Sequence, residues 1–180
     1  MKTKNFRKKI SIACGSDDLR PVMSHLFFDN GYVIATDAHL LLKQSLKEHA
    51  FTEEEISIMN GKLLHRAAFD EIFRYDHVTV SEAGFTCRKG PVKCIIEFSE
   101  CENKFPDYEA VIPKTKLQPI DEIGLNMKII HKISQLTLSY NKNVKFSFRA
   151  KNKAVIITPL DGDVEPGADL LLVMPVMIGL

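Results

Sequence analysis

The chain has 180 residues and 20.4 kDa, 45% of them hydrophobic and 26% charged, long enough for one large domain or two small ones with real cores. Its 24 Lys plus Arg against 23 Asp plus Glu leave a net charge of +1, which excludes a strongly basic nucleic-acid coat and a long acidic tail, so any DNA affinity has to be local. No run of 18 apolar residues is present, and the basic start MKTKNFRKK is not followed by a signal-peptide core, so the expectation is a cytoplasmic protein with no membrane partner.

Ile10, Ile12 and Cys14 alternate with small residues and predict an opening strand. HLFFDNGYVIATD follows as two β-rich runs around Asp29-Asn30-Gly31, and Asn-Gly between apolar runs is the strongest short-range hairpin signal. Leu40 to Leu42 predict a third strand. Thr52 with Glu55 three residues on has the capping-box arrangement, so a short helix follows, ended by Asn60-Gly61. Lys62 to His65 predict a strand leading into the helix RAAFDEIFRY, whose Ala68, Phe69, Ile72 and Phe73 share one face. HVTVSEAGFTCRKGPVKCIIEFS then reads as three alternating strands, with Gly84 and Gly90-Pro91 at the turns. Two prolines make FPDYEAVIP an extended connector.

From about Thr115 the same grammar returns. IGLN predicts a short strand, and MKIIHKISQL a helix with Ile129, Ile130, Ile133 and Leu136 inward. VKFSFRA alternates Val144, Phe146 and Phe148 against Lys145, Ser147 and Arg149, and AVIITPL and DLLLVMPVMI are closing strands. Strand, helix and three strands thus occur twice, over about 61–98 and 122–177, and the first segment looks like the same unit without its helix. The repeat is one of topology, not of letters.

Cys14, Cys87, Cys94 and Cys101 form no CxxC and no Cys/His ligand spacing, so neither a disulfide framework nor a zinc site is read from them. Cys87 and Cys94 stand symmetrically about Gly90-Pro91 and can face each other across a hairpin, as two reduced strand cysteines or as a functional pair.

Three separated stretches, DLRPVMSHLFFDNGYVIATDAHLL, FPDYEAVIP and LLVMPVMI, resemble in that order segments of the bacterial DNA polymerase III β subunit, the sliding clamp. The family pattern is Arg-Pro-Val-Leu before an apolar strand, then Ala-Thr-Asp-Gly-His-Arg-Leu, Phe-Pro-Asp-Tyr and a C-terminal Val-Met-Pro-Met. The resemblance runs from about Asp18 to Met177. It implies an α+β, DNA-clamp-like fold of repeated β-α-β-β-β halves, with mostly antiparallel sheets outside and few helices lining a channel for duplex DNA. Residues 1–114 resemble the middle domain of the clamp, its first half lacking the helix, and residues 115–180 the end of the C-terminal domain. Three halves stand where a clamp chain carries six, so enclosing DNA would require a homo-oligomer.

No bond chemistry is expected. Walker-type loop, GxSxG, HExxH and dinucleotide fingerprint are all absent, and no cofactor is implied. Asp37 and His39 lack a nucleophile at a known spacing, so His39 reads as a packing or pocket residue. The resemblance implies instead a hydrophobic pocket for short peptide motifs of replication and repair proteins. Carried over residue by residue, that pocket comprises Met23, Thr36, His39, Leu41, Pro106, Val111, Val173, Met174, Pro175 and Val176. Ala38, Leu40, Ala110, Leu172 and Met177 also match family positions. Met and aliphatic side chains make an adaptable groove, while Val173 to Met177 read equally as the last core strand. The family's Gly and Arg are replaced by Ala38 and Leu40, its basic residues after Phe-Pro-Asp-Tyr by Glu109 and Ala110, and an Arg by Met177. The pocket is therefore expected to have lost its cationic rim and to prefer less acidic ligands.

For duplex DNA, Lys128, His131, Lys132 and Gln135 give the last helix a positive polar face suited to non-specific phosphate contact, with Arg20 as a further candidate. Arg66, Asp70, Glu71 and Arg74 give the earlier helix a face of mixed sign. Lys142, Lys145, Arg149, Lys151 and Lys153 form a run without acid that reads as solvated surface, and Lys2, Lys4, Arg7, Lys8 and Lys9 as a basic arm.

Overall fold

Asn30 and Gly31 adopt φ of 48° and 81°, the left-handed pair that a two-residue hairpin turn requires. They join β1 (His25–Asp29) to β2 (Tyr32–Thr36), and β3 (Leu40–Ser45) pairs with β2. The computed structural model describes residues 10–16, 19–49, 51–101, 104–136, 143–160 and 169–177; the basic arm from Lys2 to Lys9 and Lys142 lie outside them. α1 (Glu53–Met59) starts on the capping box: the Glu55 N–H donates to Thr52 Oγ1 at 3.2 Å and the Thr52 N–H to Glu55 Oε2 at 2.9 Å.

Next come β4 (Leu63–His65), α2 (Arg66–Ile72), β5 (His77–Ser81), β6 (Gly84–Lys89) and β7 (Val92–Glu97). α3 (Met127–Leu136), β8 (Val144–Ser147), β9 (Val155–Pro159) and β10 (Asp169–Val173) complete the described elements. Two sheets result. One has seven strands in the order β4-β1-β2-β3-β10-β9-β8, the other three in the order β5-β6-β7. Every named strand pairing among the described residues is antiparallel.

The repeated unit is visible in two matching bridges. Leu63, just ahead of α2, pairs with Ser99 past the end of β7; Gly124, just ahead of α3, pairs with Val176 past the end of β10. In both units the segment before the helix therefore returns to the chain that leaves the third strand. Residues 1–114 and 115–180 are joined through β3 and β10, with Leu42 opposite Leu171 and Leu41 opposite Leu172. They also share one core, in which Leu26, Phe28, Leu64 and Phe69 pack in the same cluster as Ile129, Ile133, Val155 and Ile157.

Four local expectations change. Ile10–Ala13 is a 3-10 turn, not a strand: Ile10 and Ala13, three residues apart, are both buried, and i, i+3 is the 3-10 repeat. The connector FPDYEAVIP contains a 3-10 turn, Glu109–Val111, whose Ala110 N–H donates to Asp107 Oδ1 at 3.2 Å. IGLN contributes the single bridge at Gly124 and no strand of its own. Gly84 is the first residue of β6 rather than a turn residue, at φ 146°; a Cβ there would stand 2.2 Å from the Ile96 carbonyl oxygen, so only glycine lets β7 pass.

Candidate functional site

Side chains alternate across a strand, and at the β3–β10 junction this sorts residues between two faces. Leu40, Leu42, Leu171 and Val173 enter the core beside α2 and α3. Leu41 and Leu172 enter a second cluster on the opposite face, with Met23, Ile34, Phe105, Tyr108 and Ala154. The roof of that second cluster is the segment around Phe105–Ile112. It is pinned by the stack of Phe105 on Phe27, with centroids 4.9 Å apart, and by the Tyr108 hydroxyl donating to Asp29 Oδ2 at 2.7 Å. Lys43 pairs with Glu109 and lies 4.6 Å from the Tyr32 ring centroid and 5.2 Å from that of Tyr108.

The roof does not close the face completely. A cavity of about 170 Å³ remains, lined by Met23, Thr36, Ala38, His39, Leu40 and Leu41 from the strands and their turns. Pro106, Asp107, Tyr108 and Val111 supply the roof side, and Ala154, Leu172 and Met174 the far wall. The volume lies below the ~300–1,000 Å³ of small-molecule sites and suits one or two aliphatic side chains inserted from outside.

The turn from β2 to β3 shapes one wall. Thr36 Oγ1 donates to the Leu40 carbonyl at 2.8 Å and accepts the Ala38 N–H at 3.1 Å. Asp37 Oδ1 accepts the N–H groups of His39 at 3.0 Å and Leu40 at 2.8 Å. Its other oxygen, Oδ2, accepts Lys132 Nζ of α3 at 2.7 Å, so the helix holds the turn from behind. The Met174 N–H donates to the His39 carbonyl at 2.8 Å and closes the wall against the end of β10. Ala38 sits at φ 72°, a backbone that favours glycine.

Seven of the ten pocket residues expected from sequence line this cavity: Met23, Thr36, His39, Leu41, Pro106, Val111 and Met174. Val173, Pro175 and Val176 do not. Val173 is fully buried on the other face by strand alternation, Val176 is half exposed and bridged to Gly124, and Pro175 lies between them. Asp107, Tyr108 and Ala154 line the cavity without having been expected there. Asp107 and Tyr108 lie within the quoted FPDYEAVIP; Ala154 carries no chemical signal of its own.

Of the residues expected at DNA, Lys128 and Lys132 stand one turn apart on α3 and Arg20 lies on a separate segment. Lys128 is exposed in the first turn of α3, its N–H donating to Asn126 Oδ1 at 2.9 Å. Lys132 is spent on Asp37. Arg20 is exposed at the start of the turn Pro21–Ser24, which supplies Met23 to the cavity. On α2 the acids are engaged locally, Asp70 Oδ1 by the Ser11 hydroxyl at 2.7 Å and Glu71 by Arg74 at 2.9 Å. Asp37 meets His39 through the main chain, which is turn geometry rather than a base and its orienter.

Cys87 and Cys94 are directly opposite in the β6–β7 ladder, and both are free thiols. Burial first, then the neighbouring Cys94, pushes the Cys87 thiol up to about 12, far from the thiolate that redox chemistry needs. Among the described residues no group of three His, Cys, Asp or Glu side chains is placed to hold a metal ion, and no helix is long and apolar enough to cross a membrane.

No family model and no curated protein matches the sequence. Solved structures do match. The DNA polymerase III β subunit of Borrelia burgdorferi, in complex with a natural product, superposes with a TM-score of 0.68 at 11% identity over 96% of this chain and 61% of that one. The sliding clamp of Bacillus subtilis gives 0.62 at 12% identity over 96% and 61%, and the β subunit of Thermotoga maritima 0.60 at 13% over 96% and 62%. The chain thus has the sliding-clamp fold, as its sequence resemblance implies, and spans less than two thirds of the length of these proteins.

Proposed function

We propose that this chain is a non-enzymatic, clamp-like accessory of DNA replication or repair that holds partner proteins by short peptide segments. The observation that carries the reading is the apolar cavity at the β3–β10 junction, which segments far apart in sequence converge to build. An inserted Leu or Phe side chain would be desolvated there, and the main chain of an extended peptide would lie across the roof. Substitution tests it. Met174→Asp places an unpaired carboxylate against the anchor and weakens peptide binding by about 2–5 kcal/mol. Met174 is only half-buried, so thermal stability should hold. A variant that unfolds as well as failing to bind makes Met174 a core residue and removes this reading.

A second reading, a module that binds proteins without enclosing DNA, is favoured by the pairing of Lys132 with Asp37, which removes one cation from the α3 face. Lys128→Glu separates the two. If α3 touches phosphates, the slope of log affinity against log salt falls by roughly one unit for every duplex sequence. If the parent binds no DNA, the module reading leads. Ring closure, which needs self-association, is read from solution size and from retention on circular against linearised DNA.

A further inference from the structure

The cavity opens into a groove on either side, and the two grooves differ in charge. On one side Pro106, Asp107 and Tyr108 also border a groove containing Asp29, Lys104 and Glu109. On the other, Val111, Ala154 and Met174 also border a groove of about 420 Å³ flanked by Lys114 and Lys153. The first groove is acidic in balance. Burial, and then the carboxylates of Asp29 and Glu109, push the Tyr108 hydroxyl well above the usual tyrosine range there. The second has one acid among its lining residues, Glu109, and that carboxylate is paired with Lys43. Lys114 and Lys153 are both exposed.

Their walls are tied together. The Gln118 N–H donates to the Phe148 carbonyl at 3.2 Å and the Arg149 guanidinium to the Thr115 carbonyl, while within the turn itself the Lys153 N–H donates to the Ala150 carbonyl at 3.2 Å. The chain after the roof and the turn between β8 and β9 therefore face each other across the groove, each presenting a lysine. The family's basic positions are lost at Glu109 and Ala110, yet positive charge returns beside the cavity from two other places.

We propose that the partner peptide carries an aspartate or glutamate beside its apolar anchor, lying between Lys114 and Lys153, and no acid on the side of Asp29 and Asp107. This rests on the peptide-docking reading and adds a polarity and a charge to it. It also reverses the sequence expectation of a less acidic ligand.

A random peptide library displayed on phage and selected on the full chain supplies the probe. Enriched sequences should share an apolar anchor with Asp or Glu at a fixed offset on one side. The best of them, synthesised and titrated by fluorescence anisotropy, should bind Lys114→Glu/Lys153→Glu roughly three- to tenfold more weakly, as for two exposed ion pairs. Exchanging its acid for Lys should restore affinity on that variant. Lys89→Glu/Lys93→Glu, exposed on the other sheet and equal in net charge, should bind as the parent does. Anchors enriched without an acid, or an affinity unchanged by the double reversal, overturn the charge assignment and leave docking intact. No enrichment, or binding that survives Met174→Asp, overturns the docking reading and this proposal with it.

Discussion

The two faces of the seven-stranded sheet are built from the same strands and covered differently. At β3 and β10 the inner residues Leu40, Leu42, Leu171 and Val173 are buried in one core with Phe69 of α2 and Ile129 and Ile133 of α3. Their neighbours Leu41 and Leu172 face a roof of loop and one 3-10 turn, and a cavity is left. A helix presents a continuous apolar stripe that fills the grooves of a sheet, whereas a short connector contributes isolated anchors such as Phe105 and Tyr108. Space for a ligand side chain is thus a property of the cover, not of the strands beneath it.

The inner face should be the one on which stability depends. Ile133→Ala, at a buried position of α3, should cost about 2–5 kcal/mol in denaturant unfolding. Met174→Ala on the outer face should cost less than about 1 kcal/mol while still weakening peptide binding. Equal losses of stability would break the contrast between the two faces.

Lys132 is where the faces meet. Lys132→Met removes its ion pair with Asp37, at a cost of about 1 kcal/mol or less in stability. The distinguishing readout is local: hydrogen exchange at the His39 and Leu40 amides should quicken, because Asp37 then loses its anchor on α3. Asp37→Asn should act on the same amides, and the double variant should add little to either single change. Unchanged exchange would mean that the turn holds itself.

Ala38→Gly sharpens the same wall in the opposite direction. It relieves a left-handed alanine and should raise stability by about 0.5–1 kcal/mol, offset in part by glycine's greater freedom in the unfolded chain. A fall in stability would contradict the strain at φ 72°.

The smallest effect is titration at the start of α2. His65 Nδ1 accepts the Ala67 N–H at the start of α2, at 3.2 Å, which requires that nitrogen unprotonated. Burial, then the charges of His25 and Arg66, hold its pKa below the usual histidine range. The unfolded chain therefore takes up the proton first as pH falls. Its stabilising contribution is present above about pH 6.5 and is lost progressively below that value. His65→Ala should flatten the dependence of stability on pH in that window.

What the sequence discloses is what is local. Asn30-Gly31 makes its hairpin, Thr52 and Glu55 make their capping box, and the apolar spacing of MKIIHKISQL matches α3 from Met127 to Leu136. Cys87 and Cys94 meet across their hairpin because Gly90-Pro91 sets the register. The β3–β10 pairing, which merges residues 1–114 and 115–180 in one sheet, has no local signature; two apolar runs can pair with many others. The same limit governs the site. The motif positions lead to the cavity where a turn or a strand alternates outward, and fail at Val173, which alternation turns inward. Ala154 and Lys153 come to the cavity region only through the pairing of β9 with β10.

The central claim is that the outer cavity takes the partner and the helical face does not. Methyl NMR of the full chain, titrated with the selected peptide, addresses it directly. The account predicts shifts at the methyls of Met23, Ala38, Leu41, Ala154, Leu172 and Met174, all of which line the cavity. Shifts confined to Met127, Ile129 and Ile133 of α3, with the cavity methyls unmoved, would contradict it.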